Sequence, residues 1–432
     1  MVISKRPVVT IKGGCSCSMP GVWRAVAHNE GAVVIYHSPK ACGHVTREMN
    51  LGGYYRSVAR REFVPRQYMA PLVVSGLKEE HSIFGGAEQL RQCIGYVVTR
   101  YKPAYIVIAN SCVAGVIGDD VQAVAYEAGQ EWKIPVMSVP CSGFLDGEYY
   151  AGFYHTGRAL ADRFMFPRPA MENTVTLLGD RGGPGGPDVQ EMKGLLQYFG
   201  LKAHCHFPGY ASLEEIQRVP ASALCVPLGG RAEAFSWMRR LASDLEEMFG
   251  VPFLDHDCPV GWQGTKTWLK NMGKLLGRKS QVLLAEKEQE QRLRQQVVKS
   301  RAKIRAARVV LCIGRPLLHF QPDWVFELLA YTGVSLDGII LLRGLTGQQR
   351  DAMRRELQNN TEAPVFDQRE GAAVLETADL VVTTHELAED TKRQLFLPVL
   401  SPVGVGGLVL VMQKLARLAE RPARRGGIIY GW

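Results

Sequence analysis

Three cysteines, Cys17, Cys42 and Cys112, each stand in a short segment rich in Gly, Pro or Ser. The segments read G-G-C-S-C-S-M-P-G from Gly13, Y-H-S-P-K-A-C-G-H from Tyr36 and A-N-S-C-V-A-G-V-I-G-D-D from Ala109. Each cysteine falls where a predicted strand has just ended. A thiolate on such a turn is not committed to packing, and several turns can converge on one point. Iron in a sulfide cluster is held by soft thiolate donors, so a chain without a local C-x-x-C run can still build an iron–sulfur site this way. Gly14, Gly43 and Gly115 lie close to these cysteines; they let backbone approach the site and offer N–H groups to its sulfurs. Cys15, two residues before Cys17, is a further candidate donor.

The elements that would position these turns alternate short β-branched runs with helical stretches, the pattern of parallel sheets with crossover helices. Strands are expected at Val33–Tyr36, Tyr105–Ala109, Val136–Val139, Val175–Leu178, Leu224–Val226, Val309–Ile313, Gly338–Leu342 and Leu380–Thr383. Boundaries near 165–175 and 300–308 divide the chain into three Rossmann-like units, 1–168, 169–300 and 301–432. The loop Gly182-Gly-Pro-Gly-Gly-Pro lacks the G-x-G-x-x-G spacing and the G-K-[ST] ending, so it reads as a connection rather than a phosphate cradle. With no Walker A motif, the chain is not expected to hydrolyse ATP itself.

At 432 residues the chain is long enough for two or three such domains. No run of about 18 apolar residues exists, which argues against a membrane span. The opening M-V-I-S-K-R-P-V-V-T lacks the apolar core of a signal peptide, so a cytoplasmic location is expected. There, ten cysteines read as thiols and metal ligands rather than disulfides. The net charge of +9 is concentrated in the stretch Lys287 to Arg308 and in the tail after Arg417. No aromatic-interleaved basic motif accompanies it, so a solvated helix face accounts for the charge and a nucleic-acid partner is not expected. Cys93, Cys205, Cys225 and Cys312 sit on helix or strand patterns and read as core residues, whereas Cys258, in D-H-D-C-P-V-G-W, falls on a loop.

The cysteine segments carry a resemblance to the nitrogenase component 1 family. That family includes nitrogenase itself, the dark-operative protochlorophyllide reductase, the nickel-sirohydrochlorin reductive cyclase and cofactor-assembly scaffolds. The interval of 25 residues between Cys17 and Cys42 is similar to that between the family's first two cluster cysteines, and H-S-P-K-A-C resembles its H-G-P-x-x-C. S-G-L-K-E-E-H-S-I-F-G-G from Ser75 resembles its acidic-then-F-G-G segment, and S-C-V-A-G-V-I-G-D-D resembles its third cysteine region. The likeness is dense over residues 10–160 and continues more weakly to the C-terminus.

The resemblance implies an α/β protein of three Rossmann-like domains, with an iron–sulfur cluster held by Cys17, Cys42 and Cys112 at a subunit interface. It also places Cys141, in V-P-C-S-G-F, against that cluster. Three thiolates per chain cannot close a four-site cubane, so a second copy or a homologous subunit would complete either a bridged four-iron (4Fe-4S) cluster or a fused eight-iron (8Fe-7S) one. The ligands of a molybdenum-type cofactor are not matched. Ala234 stands where a cysteine would be expected, and L-P-V-L-S-P-V-G-V-G-G from Leu397 has no histidine. No such cofactor is therefore expected to be ligated by this chain. His37 and His44 flank Cys42 and read as supporting or capping groups. Asp119 and Asp120 open the helix after Cys112, where a carboxylate complements the helix dipole. Two functions remain open. One is the electron-relaying subunit of a nitrogenase-like two-component reductase served by an ATP-hydrolysing partner with its own four-iron cluster. The other is a non-catalytic scaffold for assembling an iron–sulfur cofactor.

Overall fold

The computed structural model describes residues 17–48, 68–145, 149–229, 236–304, 307–314, 322–385, 387, 392–398 and 400–421. Cys15 and Ala234 lie outside them.

Three parallel sheets organise these residues. The first contains β1 (Ala32–His37), β2 (Leu72–Val74), β3 (Tyr105–Asn110) and β4 (Val136–Val139) in the order β2-β1-β3-β4. The run A-V-V-I-Y-H of β1 is buried at every position, as expected for a strand covered on both faces. Val33, Ile35, Ile106 and Ile108 pack against Leu90, Ile94 and Val97 of the helix Ala87–Tyr101 and Val124 and Ala128 of the helix Val121–Trp132. Each such aliphatic side chain contributes about 1.5–3 kcal/mol by leaving water. The helices Met19–Val26 and Tyr149–Phe164 pack on each other in this unit. Their backbones approach so closely that a Cβ on Gly21 would stand 1.8 Å from the Tyr149 carbonyl oxygen.

Register decides what this sheet presents at its edge. β1 and β3 run in step from Ala32 opposite Tyr105 to His37 opposite Asn110, and β4 continues the ladder with Val139 opposite Ala109. The segments leaving β1, β3 and β4 therefore begin side by side at one carboxyl edge, where open parallel sheets place their ligands.

The second sheet joins β5 (Met171–Leu178), β6 (Lys202–Phe207) and β7 (Ser222–Pro227) in the order β6-β5-β7. The third joins β8 (Arg308–Ile313), β9 (Ser335–Leu341), β10 (Val365–Asp367), β11 (Leu380–Thr383) and β12 (Arg393–Phe396) in the order β10-β9-β8-β11-β12. By packing, Cys15–Cys258 form one compact unit, holding the first two sheets, and the chain from Pro259 onward belongs to another, holding the third. Trp262, Leu293 and Ile304, from the helices Gly261–Leu276 and Lys279–Ile304, share a core with Val309, Leu311 and Leu408. No helix among the described residues is long and apolar enough to cross a membrane.

Candidate functional site

Cys42 lies in helical residues 40–48, just after β1, and its backbone N–H donates to Pro39. Cys112 is the first residue of the helix Cys112–Ile117, just after β3; the Ser111 hydroxyl caps that helix by accepting from the Ala114 N–H at 3.2 Å. Both cysteines are half-buried. Burial raises the Cys42 thiol above its ordinary value, the Ser38 hydroxyl opposes that rise, and the nearby Cys112 adds to it. The two thiols are therefore near each other, on segments that leave neighbouring strands. Cys17 is buried just before the helix Met19–Val26. Cys141 is buried just after β4, its Sγ donating to the Asn110 carbonyl at 3.4 Å. The Tyr36 hydroxyl donates to the Met19 carbonyl at 2.7 Å. Burial pushes it well above the ordinary phenol range, and Cys17 and Cys141 lie close enough to push it further.

Gly143 ties these pieces together. Its carbonyl accepts from the Ser18 N–H at 3.2 Å, and a Cβ on it would stand 2.8 Å from the Cys112 nitrogen. Its φ of +58° is also one that L residues rarely adopt. The turn after β4 is thereby pressed onto both the Cys17 and the Cys112 segments. The four described candidate thiols come to one sheet edge: Cys42 beside Cys112, with Cys17 and Cys141 around Tyr36. Among the described residues no set of three His, Cys, Asp or Glu side chains closes on a single metal ion. Ligands that grip the outside of a multi-iron cluster need not converge so tightly, and the chemistry of the set, four soft thiols on Gly- and Ser-rich segments, suits such a cluster.

Large apolar side chains are exposed on the segments near this edge: Ile83, Phe84, Val116, Phe144 and Leu145, Phe84 at 86%. Exposed apolar clusters mark contact surfaces.

Sequence reasoning missed the role of one carboxylate here. Asp119 is not in the first turn of the helix Val121–Trp132, whose cap is Asp120, accepting from the Ala123 N–H at 2.9 Å. Instead the Asp119 carboxylate is buried, with one oxygen 2.9 Å from His37 Nε2 and the other accepting from the Gly86 N–H at 2.7 Å. His37 Nδ1 meets the Ser75 hydroxyl at 3.1 Å. Burial lowers the His37 pKa, against the pull of Asp119, so the neutral ring donates from Nε2 and accepts at Nδ1. His37 is thus held at both ring nitrogens, by Asp119 and by Ser75.

Cys93, Cys205, Cys225 and Cys312 are buried in core positions. Cys258 is also buried, beside the Arg181 guanidinium, its thiol pushed up to about 11 by burial. The Gly-rich loop after β5 is closed on itself. Its Arg181 pairs with Asp188 at 2.8 Å, and its Asp180 pairs with Arg24 at 2.6 Å and accepts from the Tyr210 hydroxyl.

Fold and site define a class: a parallel α/β protein whose thiols gather at the carboxyl edge of its first sheet. Residues 17–405 match the model of the nitrogenase component 1 type oxidoreductase family, and the chain belongs to that family. It is 26% identical to the nitrogenase molybdenum-iron protein alpha chain of Methanosarcina barkeri over 68% of this chain and 54% of that one. It is equally 26% identical to the nitrogenase iron-molybdenum cofactor biosynthesis protein NifE of Rippkaea orientalis, over 70% of this chain and 62% of that one. The chain thus spans between about half and two thirds of the length of these relatives. The solved structure described as nitrogenase Cp1 at pH 5 shares its fold, with a TM-score of 0.64 over 98% of this chain and 92% of that one, at 19% identity.

Proposed function

We propose that this chain is the iron–sulfur-cluster-binding subunit of a nitrogenase-like two-component reductase. It would accept electrons from an ATP-dependent reductase carrying a four-iron cluster and relay them to a substrate or a second cluster. The observation that carries this reading is the Cys42–Cys112 pair, half-buried at the carboxyl edge of the first sheet and rimmed by exposed apolar side chains. Cys17, Cys42 and Cys112 are the ligands, with Cys15 and Cys141 as additional donors. The cluster is a four-iron (4Fe-4S) or fused eight-iron (8Fe-7S) type, and no molybdenum-type cofactor is ligated by this chain. A second copy or a homologous component 1 subunit covers the apolar rim and supplies the remaining ligands. Three domains, 1–168, 169–300 and 301–432, and a cytoplasmic location complete the reading, with neither nucleic acid nor membrane as partner.

An iron–sulfur cluster, when bound, supplies one-electron transfer at a potential tuned by hydrogen bonds to its sulfurs and by exposure. The chain's own part begins with protons. Burial keeps the Cys42 thiol protonated at neutral pH, so ligation displaces a proton and metal binding tightens as pH rises. The Ser38 hydroxyl, which favours the ionised sulfur, assists that loss. Phe84, Val116 and Phe144 keep water off the edge once a partner covers them.

A second reading, a scaffold on which a cofactor is assembled and handed over, is favoured by one observation: the likeness to NifE proteins is as close as the likeness to alpha chains. Anaerobic purification with iron and sulfide counting, EPR and light scattering tests the shared part. Brown protein with about four to eight irons per dimer is expected; colourless, iron-free protein after anaerobic reconstitution would overturn it. Loaded protein that transfers its cluster to an acceptor but takes no electrons from an ATP-dependent reductase would select the scaffold.

A further inference from the structure

We infer that the Asp119 carboxylate is a bracket joining the thiol site to the exposed Ile83–Phe84 turn, so that filling the site and gripping the turn are coupled events. Its two oxygens face opposite ways. One holds His37, the last residue of β1, from which the Cys42 segment departs; the other holds the N–H of Gly86, two residues beyond Phe84. Asp119 itself follows the helix that opens on Cys112. One buried group thus spans three segments far apart in sequence: those bearing Cys42, Cys112 and the turn.

The fit leaves no slack. A Cβ on Gly86 would stand 2.7 Å from Asp119 Oδ2, 3.1 Å from His37 Cε1 and 2.5 Å from a Leu77 methyl. His37 is braced from behind by Ser75, whose hydroxyl also accepts the Ser38 N–H at 3.2 Å. The turn's other bonds are local: its own backbone hydrogen bonds and the Lys78 N–H donating to His81 Nδ1 at 2.9 Å. Ile83 and Phe84 are 78% and 86% exposed, and the helix His81–Phe84 buries no residue. Hydrogen bonds to a carboxylate are the strong kind, so the Gly86–Asp119 bond ties this turn firmly to the thiol edge. Movement of the Cys42 or Cys112 segment on ligation is therefore transmitted to residues 81–86, and a partner that fixes the turn stiffens the thiol site in return.

The test is hydrogen exchange at residues 81–86, in iron-free and iron-loaded full-length protein. In the iron-free protein, Asp119→Ala is expected to speed exchange there by about tenfold or more, the consequence of losing bonds to a charged group. Asp119→Asn is expected to stay close to the parent, because its oxygen can still accept from Gly86 while its amide donates to the other tautomer of His37. Should Asp119→Ala fail to fold, Gly86→Ala opens the bracket from the opposite side and is expected to speed exchange likewise. Unchanged exchange in both opening variants overturns the bracket. The coupling rests on the cluster reading above: iron loading should slow these amides in the parent and not in Asp119→Ala, and equal slowing in both overturns the coupling. Protein that takes up no iron defeats the cluster reading instead, while the iron-free arm still decides the bracket.

Discussion

The first and second sheets are built alike, with parallel strands and helices returning over the faces, yet their carboxyl edges differ in what is left to bind. At the first, Cys42 and Cys112 sit half-buried in the helical segments that follow β1 and β3, and Val116, Phe144 and Leu145 are exposed. At the second, charged groups stand at the same topological position: Asp180 and Arg181 after β5, answered by Arg24, Tyr210 and Asp188. There every charge is turned inward. Arg24 and Asp180 push each other's pKa apart, Arg24 upward and Asp180 downward, against a burial that opposes both. The position of an edge in the fold offers a site; whether its side chains already satisfy one another decides whether the offer stands.

The contrast can be broken most sharply at the thiols. Cys42→Ala and Cys112→Ala should each abolish iron retention, read by iron and sulfide counting. The stability of the iron-free protein should shift by no more than about 0.5 kcal/mol, since both side chains are partly exposed. Retained iron in both variants would remove the distinction between the edges.

At the second edge the expected effect is on folding. Asp188→Ala removes the carboxylate that pairs with the Arg181 guanidinium, 3% exposed, at 2.8 Å. Such a loss costs about 3 kcal/mol or more, visible in the urea midpoint, while iron per folded chain should not change. A fall in iron would mean that the two edges are one functional unit.

Smaller effects sharpen the same line. Cys225→Ala and Cys312→Ala, at fully buried positions, should cost on the order of 1 kcal/mol and leave iron content intact. The pH dependence of stability should be slighter still. Burial lowers the pKa of His37, and burial followed by Arg218 lowers that of His204, both from 6.5. The unfolded chain then binds more protons than the folded one below that value. Stability is complete above pH 6.5 and declines as pH falls beneath it. Urea midpoints at pH 7.5 and 5.5 check the sign; a higher midpoint at pH 5.5 would contradict it.

Much of this was legible in the sequence, and the exceptions have physical reasons. β1, β3, β8 and β11 announced themselves as apolar runs because strands covered on both faces need no polar alternation. β6 did not: K-A-H-C-H-F carries two histidines, one meeting the Ser222 hydroxyl at 2.8 Å and the other the Gly179 carbonyl. β2 and β10 are only three residues long, and β12 pairs on one side only, too little for a periodic signal. The thiols were legible because cysteine on a Gly-rich turn is conspicuous chemistry. Asp119 was not, because its partners lie 82 and 33 residues away and an acid before a helix already has a local explanation.

Gly143 has a consequence for the order of biosynthesis. Cys17, Cys42 and Cys112 are all synthesised by residue 112, but the turn that presses their segments together follows β4, and Gly21 closes against Tyr149, the first residue of a helix ending at Phe164. A nascent chain has therefore made all three thiols well before it can gather them. On the proposed cluster reading, iron supplied during that interval would meet an open, unassembled set of sulfurs, and loading would follow release of the first sheet and its last covering helix from the ribosome.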